Sequence, residues 1–314
     1  MSVLPVLVLY AIWSSIFAIG KWTLEYSPPL LLTAVRMGLA GVGMTLFLLA
    51  QKRKWFQLSL RQFFSICLLA LFSIYLTNAL EFWGLQQMTA AKTCFFYSLS
   101  PFFAAILSYI HFKEKMNWKK GLGMLIGLIG FAPVLMLQKG SEELLSSLAF
   151  LSWPELAVLG AAFFSNYGWV LLRLLVKNHE VSPVLANGLS MLIGAVFALV
   201  HSYFVESWAP TFSTGSIAPF LQGTVLMTLV SNVICYNLYG MLLKKFTATF
   251  LSFMGLLSPI FASINGWIFL GEPFSPAILL STGVVSIGAW IFYSAELRQG
   301  YIVRSQKNVP QPLN

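Results

Sequence analysis

A segment of 26 residues occurs twice in this chain, first at 89–114 and again 158 positions later at 247–272. Eleven of the 26 paired positions are identical without a gap, and Pro101 in the first copy matches Pro259 in the second. Both copies are apolar and long enough to cross a bilayer. Repeats in membrane proteins usually form two half-bundles that face each other around a site near the bilayer midplane. The duplication therefore predicts the architecture of a transporter.

The rest of the chain is equally apolar. Hydrophobic residues make up 58% of its 314 residues and charged residues only 9%, which is more apolar surface than a soluble domain of this length can bury. The hydrophobicity is continuous rather than alternating, which favours helices over a barrel. Ten apolar runs have nearly the length of about 20 residues that a membrane-spanning helix needs. These runs are 3–20, 30–50, 63–84, 92–110, 120–137, 154–174, 183–204, 218–241, 248–270 and 277–296. We therefore predict an all-α integral membrane protein with ten transmembrane helices.

Short connections join the runs, so the chain is expected to form one membrane unit of two five-helix repeats. Since five is an odd number, the second repeat must enter the membrane in the opposite direction to the first, around a pseudo-twofold axis in the membrane plane. We predict a first repeat at 1–138, an outer connecting loop at 139–153, a second repeat at 154–297 and a cytoplasmic tail at 298–314.

The net charge of +9 is a signal of membrane topology. Fifteen of the 19 Lys and Arg residues lie in alternate loops and in the C-terminal tail, and such residues accumulate on the cytoplasmic side. Both termini are therefore expected in the cytoplasm, and the basic excess does not indicate a nucleic-acid partner. Trp13 and Tyr10 interrupt the first run and no Lys or Arg precedes it, so we expect a retained helix rather than a cleaved signal peptide.

The sequence lacks the motifs of an intramembrane enzyme. All ten acidic residues are Glu, the three Cys are scattered and the three His lie at the ends of runs, so neither a disulfide nor a metal site is expected. No Gly-rich segment is followed by Lys-Ser or Lys-Thr, which excludes an ATPase motif and favours a gradient as the energy source. No filter-like segment of a channel is present either. We predict a protein that is not an enzyme and that has no cofactor.

Pro101 and Pro259 are predicted to lie in the middle of their helices. A proline there removes a backbone donor and kinks the helix, and the freed carbonyls need other partners. Two interpretations stay open. The kinks either improve static packing or act as hinges for alternating access, and the doubled placement favours hinges.

The motifs of both halves resemble those of a known family. They are Trp13-Ser14-Ser15, Pro29, Arg36, Leu99-Ser100-Pro101, Glu114, Gly121, Gly127 and Gly130 in the first half, and Leu257-Ser258-Pro259, Leu270-Gly271-Glu272, Gly283 and Gly288 in the second. By these motifs the chain is similar, over essentially its whole length, to the drug/metabolite transporter superfamily of the ten-helix EamA type. The resemblance implies movement of metabolites by alternating access, and structural roles for Glu114 and Glu272 at the ends of their helices. The first copy departs from the pattern, with Phe112-Lys113-Glu114 where the second has Leu-Gly-Glu.

Within this superfamily, the first hundred residues resemble the S-adenosylmethionine/S-adenosylhomocysteine exchangers of obligate intracellular bacteria. This resemblance implies exchange of the two molecules across the inner membrane, with a zwitterionic metabolite and membrane lipids as partners. An exporter or uptake carrier for amino acids or related small metabolites, with or without proton coupling, stays open as the alternative.

Two ionisable residues are predicted to lie within the bilayer, Arg36 in the second helix and Glu81 in the third. Such residues are costly in lipid and usually face the interior of the bundle. They either pair with one another or contact the substrate. The planar fork of Arg36 suits a carboxylate, and Glu81 suits an ammonium group or a coupling proton.

Polar and aromatic side chains complete the predicted site. Tyr75 and Asn78 are expected to share a helix face with Glu81. For Asn237 the alternative is a hydrogen bond between helices, since an unpartnered amide in lipid is costly. The predicted substrate-binding residues are Arg36, Glu81, Asn78, Tyr75, Trp13, Tyr97, Asn166, Trp169, Tyr236 and Asn237. Such a pocket suits a zwitterion that carries a flat heterocycle, either S-adenosylmethionine, whose sulfonium would lie over a ring face, or a large aromatic amino acid.

Overall fold

The structure is a computed structural model. It describes residues 3–50, 58–87, 93, 96–97, 99–137, 152–178, 181–213, 215–258, 260–261 and 276–300. All regular secondary structure in these stretches is helical, which confirms the all-α prediction. Pro259, Glu272, most of the predicted loop at 139–153 and most of the predicted tail lie outside the described residues.

Helices carry most of the described chain. In chain order they are α1 (Leu4–Trp13), α2 (Ser15–Thr23), α3 (Pro29–Ala50), α4 (Leu60–Leu69), α5 (Thr77–Gln87), α6 (Ser100–Phe112), α7 (Trp118–Leu137), α8 (Trp153–Arg173), α9 (Pro183–Val205), α10 (Ile217–Met227), α11 (Tyr236–Leu242), α12 (Ala248–Met254) and α13 (Pro276–Arg298). Between or after them lie π-helical stretches at Ala70–Leu76, Leu174–Asn178 and Thr228–Cys235, and a 3₁₀ turn at Gly255–Leu257. Each of the ten predicted runs contains at least part of one helix.

Among the residues that the structure describes, five helical segments are long and apolar enough to cross a membrane. They are Pro29–Ala50, Leu60–Gln87, Trp153–Lys177, Pro183–Val205 and Ile217–Leu242. Shorter apolar helices follow at Leu4–Trp13, Ser100–Phe112 and Ala248–Leu257. These features describe a multi-pass membrane protein, and the inverted arrangement of ten spans stays a prediction.

Local sequence signals explain where two of these segments begin. At α4 the hydroxyl of Ser59 accepts a hydrogen bond from the Gln62 N–H (3.3 Å), and the Gln62 side chain accepts one from the Ser59 N–H (2.8 Å). At α8 the Glu155 carboxylate accepts from the Ser152 N–H (2.8 Å) in the same way. These reciprocal bonds satisfy backbone donors that have no partner within the helix.

Helices in both halves are interrupted beside the centre of the bundle. Ser14 separates α1 from α2, and α12 passes into the 3₁₀ turn at Gly255. The prediction that Pro101 lies in mid-helix differs from the structure, in which a turn at Leu99 precedes α6. Pro101 therefore lies in the first turn of α6, where its missing N–H costs no hydrogen bond.

Glycines allow the closest helix contacts. A Cβ atom added at Gly288 of α13 would lie 2.7 Å from the carbonyl oxygen of Gly123 in α7. A Cβ atom at Gly41 of α3 would lie 2.9 Å from the carbonyl oxygen of Gly188 in α9. Small residues of this kind let helix backbones approach closely in lipid. The pairs α7–α13 and α3–α9 thus each join a helix of the first half to one of the second.

A carboxylate from the second half also caps a helix of the first. Glu206, just after α9, accepts hydrogen bonds from the N–H groups of Leu30 (2.8 Å) and Leu31 (2.9 Å) at the start of α3. An anion is favourable there because of the free N–H groups and the helix dipole. This contact holds the start of the helix that carries Arg36.

Candidate functional site

A cavity of about 150 Å³ lies inside the bundle. It has room for an organic molecule rather than for isolated waters. Helices of both halves supply its walls, among them α1, α3, α5 and α6 from the first half and α8, α11 and α12 from the second. The cavity therefore lies where the two halves meet, as expected for a transport site.

Arg36 supplies a buried positive charge at the cavity wall. Its side chain is only 3% exposed, and its Nη2 donates a hydrogen bond to Oδ1 of Asn78. The guanidinium lies over the ring of Phe82, 5.1 Å from the ring centre. Its Nε has no hydrogen-bond partner among the described residues. Since buried polar groups are nearly always satisfied, this donor is available to a ligand.

Glu81 brings a carboxylate to the same cavity, near enough to Arg36 for their charges to interact. The carboxylate accepts a hydrogen bond from the hydroxyl of Tyr97, which is itself hydrogen-bonded to Ser165 of α8. Tyr97 and Ser165 therefore position Glu81 from two different elements.

Asn78 connects several polar side chains at this part of the cavity wall. Its amide donates to the carbonyl of Ile74 (2.7 Å), which is one helical turn earlier. The same side chain contacts Arg36 through its oxygen and is hydrogen-bonded to the hydroxyl of Tyr236. A single amide thus connects the guanidinium to an aromatic residue of the second half.

A group of five packed aromatic side chains forms another part of the wall. We call them the aromatic cluster: Tyr10, Trp13, Trp169, Tyr236 and Tyr239. Trp13 is at its centre, with ring centres 5.7 Å from Tyr236, 5.8 Å from Tyr239, 5.9 Å from Trp169 and 6.2 Å from Tyr10. Trp169 and Tyr239 stack at 4.0 Å. Such ring faces can bind a flat heterocycle or a cation.

Two buried ion pairs join the halves beyond the aromatic cluster. Arg173 and Glu114 lie 2.6 Å apart, and Lys120 and Glu296 lie 3.0 Å apart. Glu296 also accepts a hydrogen bond from the hydroxyl of Thr247 at the start of α12 (2.6 Å). Glu114 and Glu296 are near enough to interact electrostatically, so both pairs lie at one end of the bundle.

Known proteins are similar to this chain in sequence and in fold. The model of the EamA-like transporter family matches residues 1–136 and 152–294. The chain belongs to the EamA-like transporter family. This confirms the family resemblance found in the sequence.

Two relatives of this EamA protein carry a substrate in their names. The S-adenosylmethionine/S-adenosylhomocysteine transporter of Chlamydia trachomatis serovar L2 is 41% identical over 296 residues, covering 94% of this chain and 90% of the relative. The transporter of the same name from Chlamydia muridarum is 40% identical, covering 94% of this chain and 92% of the relative. A solved crystal structure matches with a TM-score of 0.76 at 16% identity, covering 94% of this chain and 97% of its own, which shows the same fold.

The structure brings eight of the ten predicted site residues of the EamA protein to the cavity. They are Trp13, Arg36, Asn78, Glu81, Tyr97, Asn166, Trp169 and Tyr236. Pro101, predicted as a hinge, also lines it. Substrate binding by these residues stays a prediction.

Tyr75 is not brought to the cavity. Its hydroxyl lies 2.9 Å from Nδ1 of His201, and its ring packs on Phe197, both on α9. The expectation that it shares a face with Asn78 assumed α-helical spacing. Tyr75 lies in the π-helical stretch Ala70–Leu76, whose wider turn rotates its side chain away from that face.

Asn237 also lies apart from the cavity wall. Its amide donates to the carbonyl of Val233 (2.8 Å) and to the sulfur of Met44 (3.0 Å), and its oxygen accepts from Asn187 (3.1 Å). The contacts with Met44 and Asn187 are the hydrogen bonds between helices that the sequence left open as the alternative.

Several residues of the wall were missed by sequence reasoning, among them Tyr10, Tyr239 and Gly255. Tyr10 precedes Trp13 by three positions and Tyr239 follows Tyr236 by three, so helical spacing from a predicted residue would have found both. Gly255 has no functional group, and nothing in its residue type indicates a cavity.

Proposed function

We propose that this EamA protein is a secondary transporter that exchanges S-adenosylmethionine for S-adenosylhomocysteine across the inner membrane by alternating access. The observation that carries the proposal is one cavity whose wall contains a buried guanidinium, a carboxylate and the aromatic cluster. The Chlamydia transporters, at 40–41% identity, support the choice of substrate.

The chemistry of the cavity matches the parts of this substrate. The substrate carboxylate accepts hydrogen bonds from Arg36, whose fork suits a carboxylate. The substrate ammonium pairs with Glu81. The adenine stacks on a ring of the aromatic cluster, and the sulfonium of S-adenosylmethionine is attracted by a ring face.

The two ion pairs support alternating access. They connect the halves at the end of the bundle where the loops are rich in Lys and Arg, which we assign to the cytoplasm together with both termini. Opening the cavity toward that side would separate Arg173 from Glu114 and Lys120 from Glu296. Closing it restores both pairs, which gives the transporter a defined closed state at that end.

An exchange assay tests the proposal. Proteoliposomes preloaded with S-adenosylhomocysteine should take up labelled S-adenosylmethionine, and empty vesicles should take up little. The Arg36→Ala variant should abolish uptake. Arg61→Ala removes an exposed arginine outside the cavity and serves as the matched control. Equal uptake into empty and preloaded vesicles would contradict exchange.

Glu81 favours a second candidate, a carrier for amino acids that is coupled to protons. A buried carboxylate in a transport cavity is suited to bind and release a proton. Good binding of Trp or Phe, together with no binding of S-adenosylmethionine, would favour this candidate. If Glu81 carries the coupled proton, transport by the Glu81→Gln variant should no longer depend on pH. Transport by this variant that still depends on pH would exclude coupling through Glu81.

A further inference from the structure

We propose that Gly255 is the residue that makes room for the nucleoside part of the substrate, with the amino-acid part held at Arg36 and Glu81. This inference rests on the proposed function and adds an orientation of the substrate and a residue that determines specificity. It comes from a difference between the two copies of the internal repeat.

The repeat pairs Gly255 with Tyr97, since the two positions are 158 residues apart. Both residues line the cavity. In the first copy the tyrosine fills its position and holds Glu81 by a hydrogen bond. In the second copy the equivalent side chain is missing. A polar side chain therefore occupies the cavity at Tyr97, whereas the equivalent space at Gly255 is open.

The backbone at Gly255 does not require a glycine. Its dihedral angles are φ −60° and ψ −22°, which any residue adopts. A Cβ atom added there would lie 3.4 Å from Cε1 of Tyr10, an ordinary van der Waals contact. An alanine at this position therefore fits the fold, and its methyl group would take space from the cavity beside Tyr10.

The ring of Tyr10 is fixed in front of this space. Its hydroxyl donates a hydrogen bond to the carbonyl of Leu251 (2.5 Å). That carbonyl is available because α12 tightens at its end, where the N–H of Gly255 donates to the carbonyl of Ser252 instead. The ring cannot move away from a larger residue at position 255 without losing this bond.

The two ends of the cavity differ in chemistry. The ionised side chains Arg36 and Glu81 lie together, and Asn78 and Tyr97 add polar groups to them. The three atoms nearest to a Cβ added at Gly255 all belong to Tyr10, and the segment around Gly255 lines the cavity with Ser252, Leu256 and Ser258, none of which is ionised. An uncharged, flat purine is favoured against such surfaces, whereas the ionised amino-acid part is favoured at the charged end.

The Gly255→Ala variant tests this orientation with three ligands: S-adenosylhomocysteine, adenosine and methionine. One additional methyl group in a fitted pocket changes affinity roughly tenfold or more. We expect dissociation constants of the variant, measured by radioligand binding to purified protein, to rise roughly tenfold for S-adenosylhomocysteine and for adenosine. The dissociation constant for methionine should stay within about twofold.

Two further variants control the experiment. Gly43→Ala makes the same exchange at an exposed position of α3 where a Cβ atom meets nothing within 4 Å, and it should bind all three ligands as the unmodified protein does. Adding Tyr10→Phe to Gly255→Ala removes the hydrogen bond that holds the ring, and should restore part of the lost affinity for S-adenosylhomocysteine. Thermal unfolding of each variant reports on the fold.

Unchanged binding of S-adenosylhomocysteine to a folded Gly255→Ala variant would overturn the inference and leave the proposed function standing. Weaker binding of methionine with unchanged binding of adenosine would overturn it as well, since it would mean the reverse orientation. If the unmodified protein bound neither S-adenosylhomocysteine nor S-adenosylmethionine, the proposed function itself would fail.

Discussion

In the described part of the chain, a buried arginine is combined with a glutamate at two places, and the two combinations are built differently. Arg173 and Glu114 form a direct pair at 2.6 Å, and the ring of Phe112 lies 4.2 Å from the Arg173 guanidinium carbon. Arg36 and Glu81 instead lie on the wall of a cavity. Both arginines keep nitrogen atoms without a partner among the described residues, but only Arg36 lines the cavity.

The difference shows that burial of a charge does not by itself identify a binding site. Both arginines are costly to bury and both lie inside the bundle. The direct pair neutralises its charges within the protein and joins α6 to α8. At the cavity, Arg36 is hydrogen-bonded to Asn78 and Glu81 to Tyr97, and under the proposed function both charges bind the zwitterionic substrate.

The largest expected effects concern the two arginines: replacing Arg173 should lower the stability of the protein, whereas replacing Arg36 should weaken ligand binding. Arg173→Met leaves Glu114 buried without its cation and should lower the free energy of unfolding by about 3–5 kcal/mol. Arg36→Met should leave the unfolding midpoint nearly unchanged but weaken binding of S-adenosylhomocysteine roughly 100-fold, because charged hydrogen bonds to the ligand are lost. Denaturant unfolding in detergent and ligand binding measure the two effects. The double variant Arg173→Met/Glu114→Leu should regain much of the stability. An Arg36→Met variant that unfolds as readily as the Arg173→Met variant would contradict this distinction between the two arginines.

A smaller effect is expected at the centre of the aromatic cluster. Trp13→Leu removes a ring face that would attract the sulfonium, and a desolvated contact of this kind contributes about 2 kcal/mol, or roughly 30-fold in affinity. Competition binding should therefore show a greater loss for S-adenosylmethionine than for S-adenosylhomocysteine, which lacks the sulfonium charge. Equal losses for both ligands would show that the cluster contributes stacking and no recognition of the cation.

The smallest effect is expected at Tyr75. Tyr75→Phe removes only the hydroxyl that contacts His201 on α9, and Tyr75 is not part of the cavity wall. Exchange measured in proteoliposomes should stay within about twofold of the unmodified protein, as for most substitutions away from a site. A loss comparable to that of Trp13→Leu would place Tyr75 in the transport path after all.

Sequence reasoning found the residues whose presence in lipid is costly. Arg36, Asn78 and Glu81 were recognisable because an ionised or amide side chain in an apolar run needs a partner or a function. It failed at Tyr75, because a π-helical turn changes the rotation per residue without leaving a mark in hydropathy. It also failed to place Asn237, since the partners Asn187 and Met44 come from distant parts of the chain.

The amino-acid sequence by itself determined that this protein is helical and lies in a membrane, and that it belongs to the EamA family, because continuous hydrophobicity and repeated motifs are properties of neighbouring residues. Only the tertiary structure decided which charged residues pair and which line the cavity. Arg36 lies inside an apolar run and Arg173 at the end of one, and neither position shows by itself which arginine lines a cavity. Their roles differ because Glu114 reaches one of them directly, whereas the meeting of the two halves leaves a space beside the other.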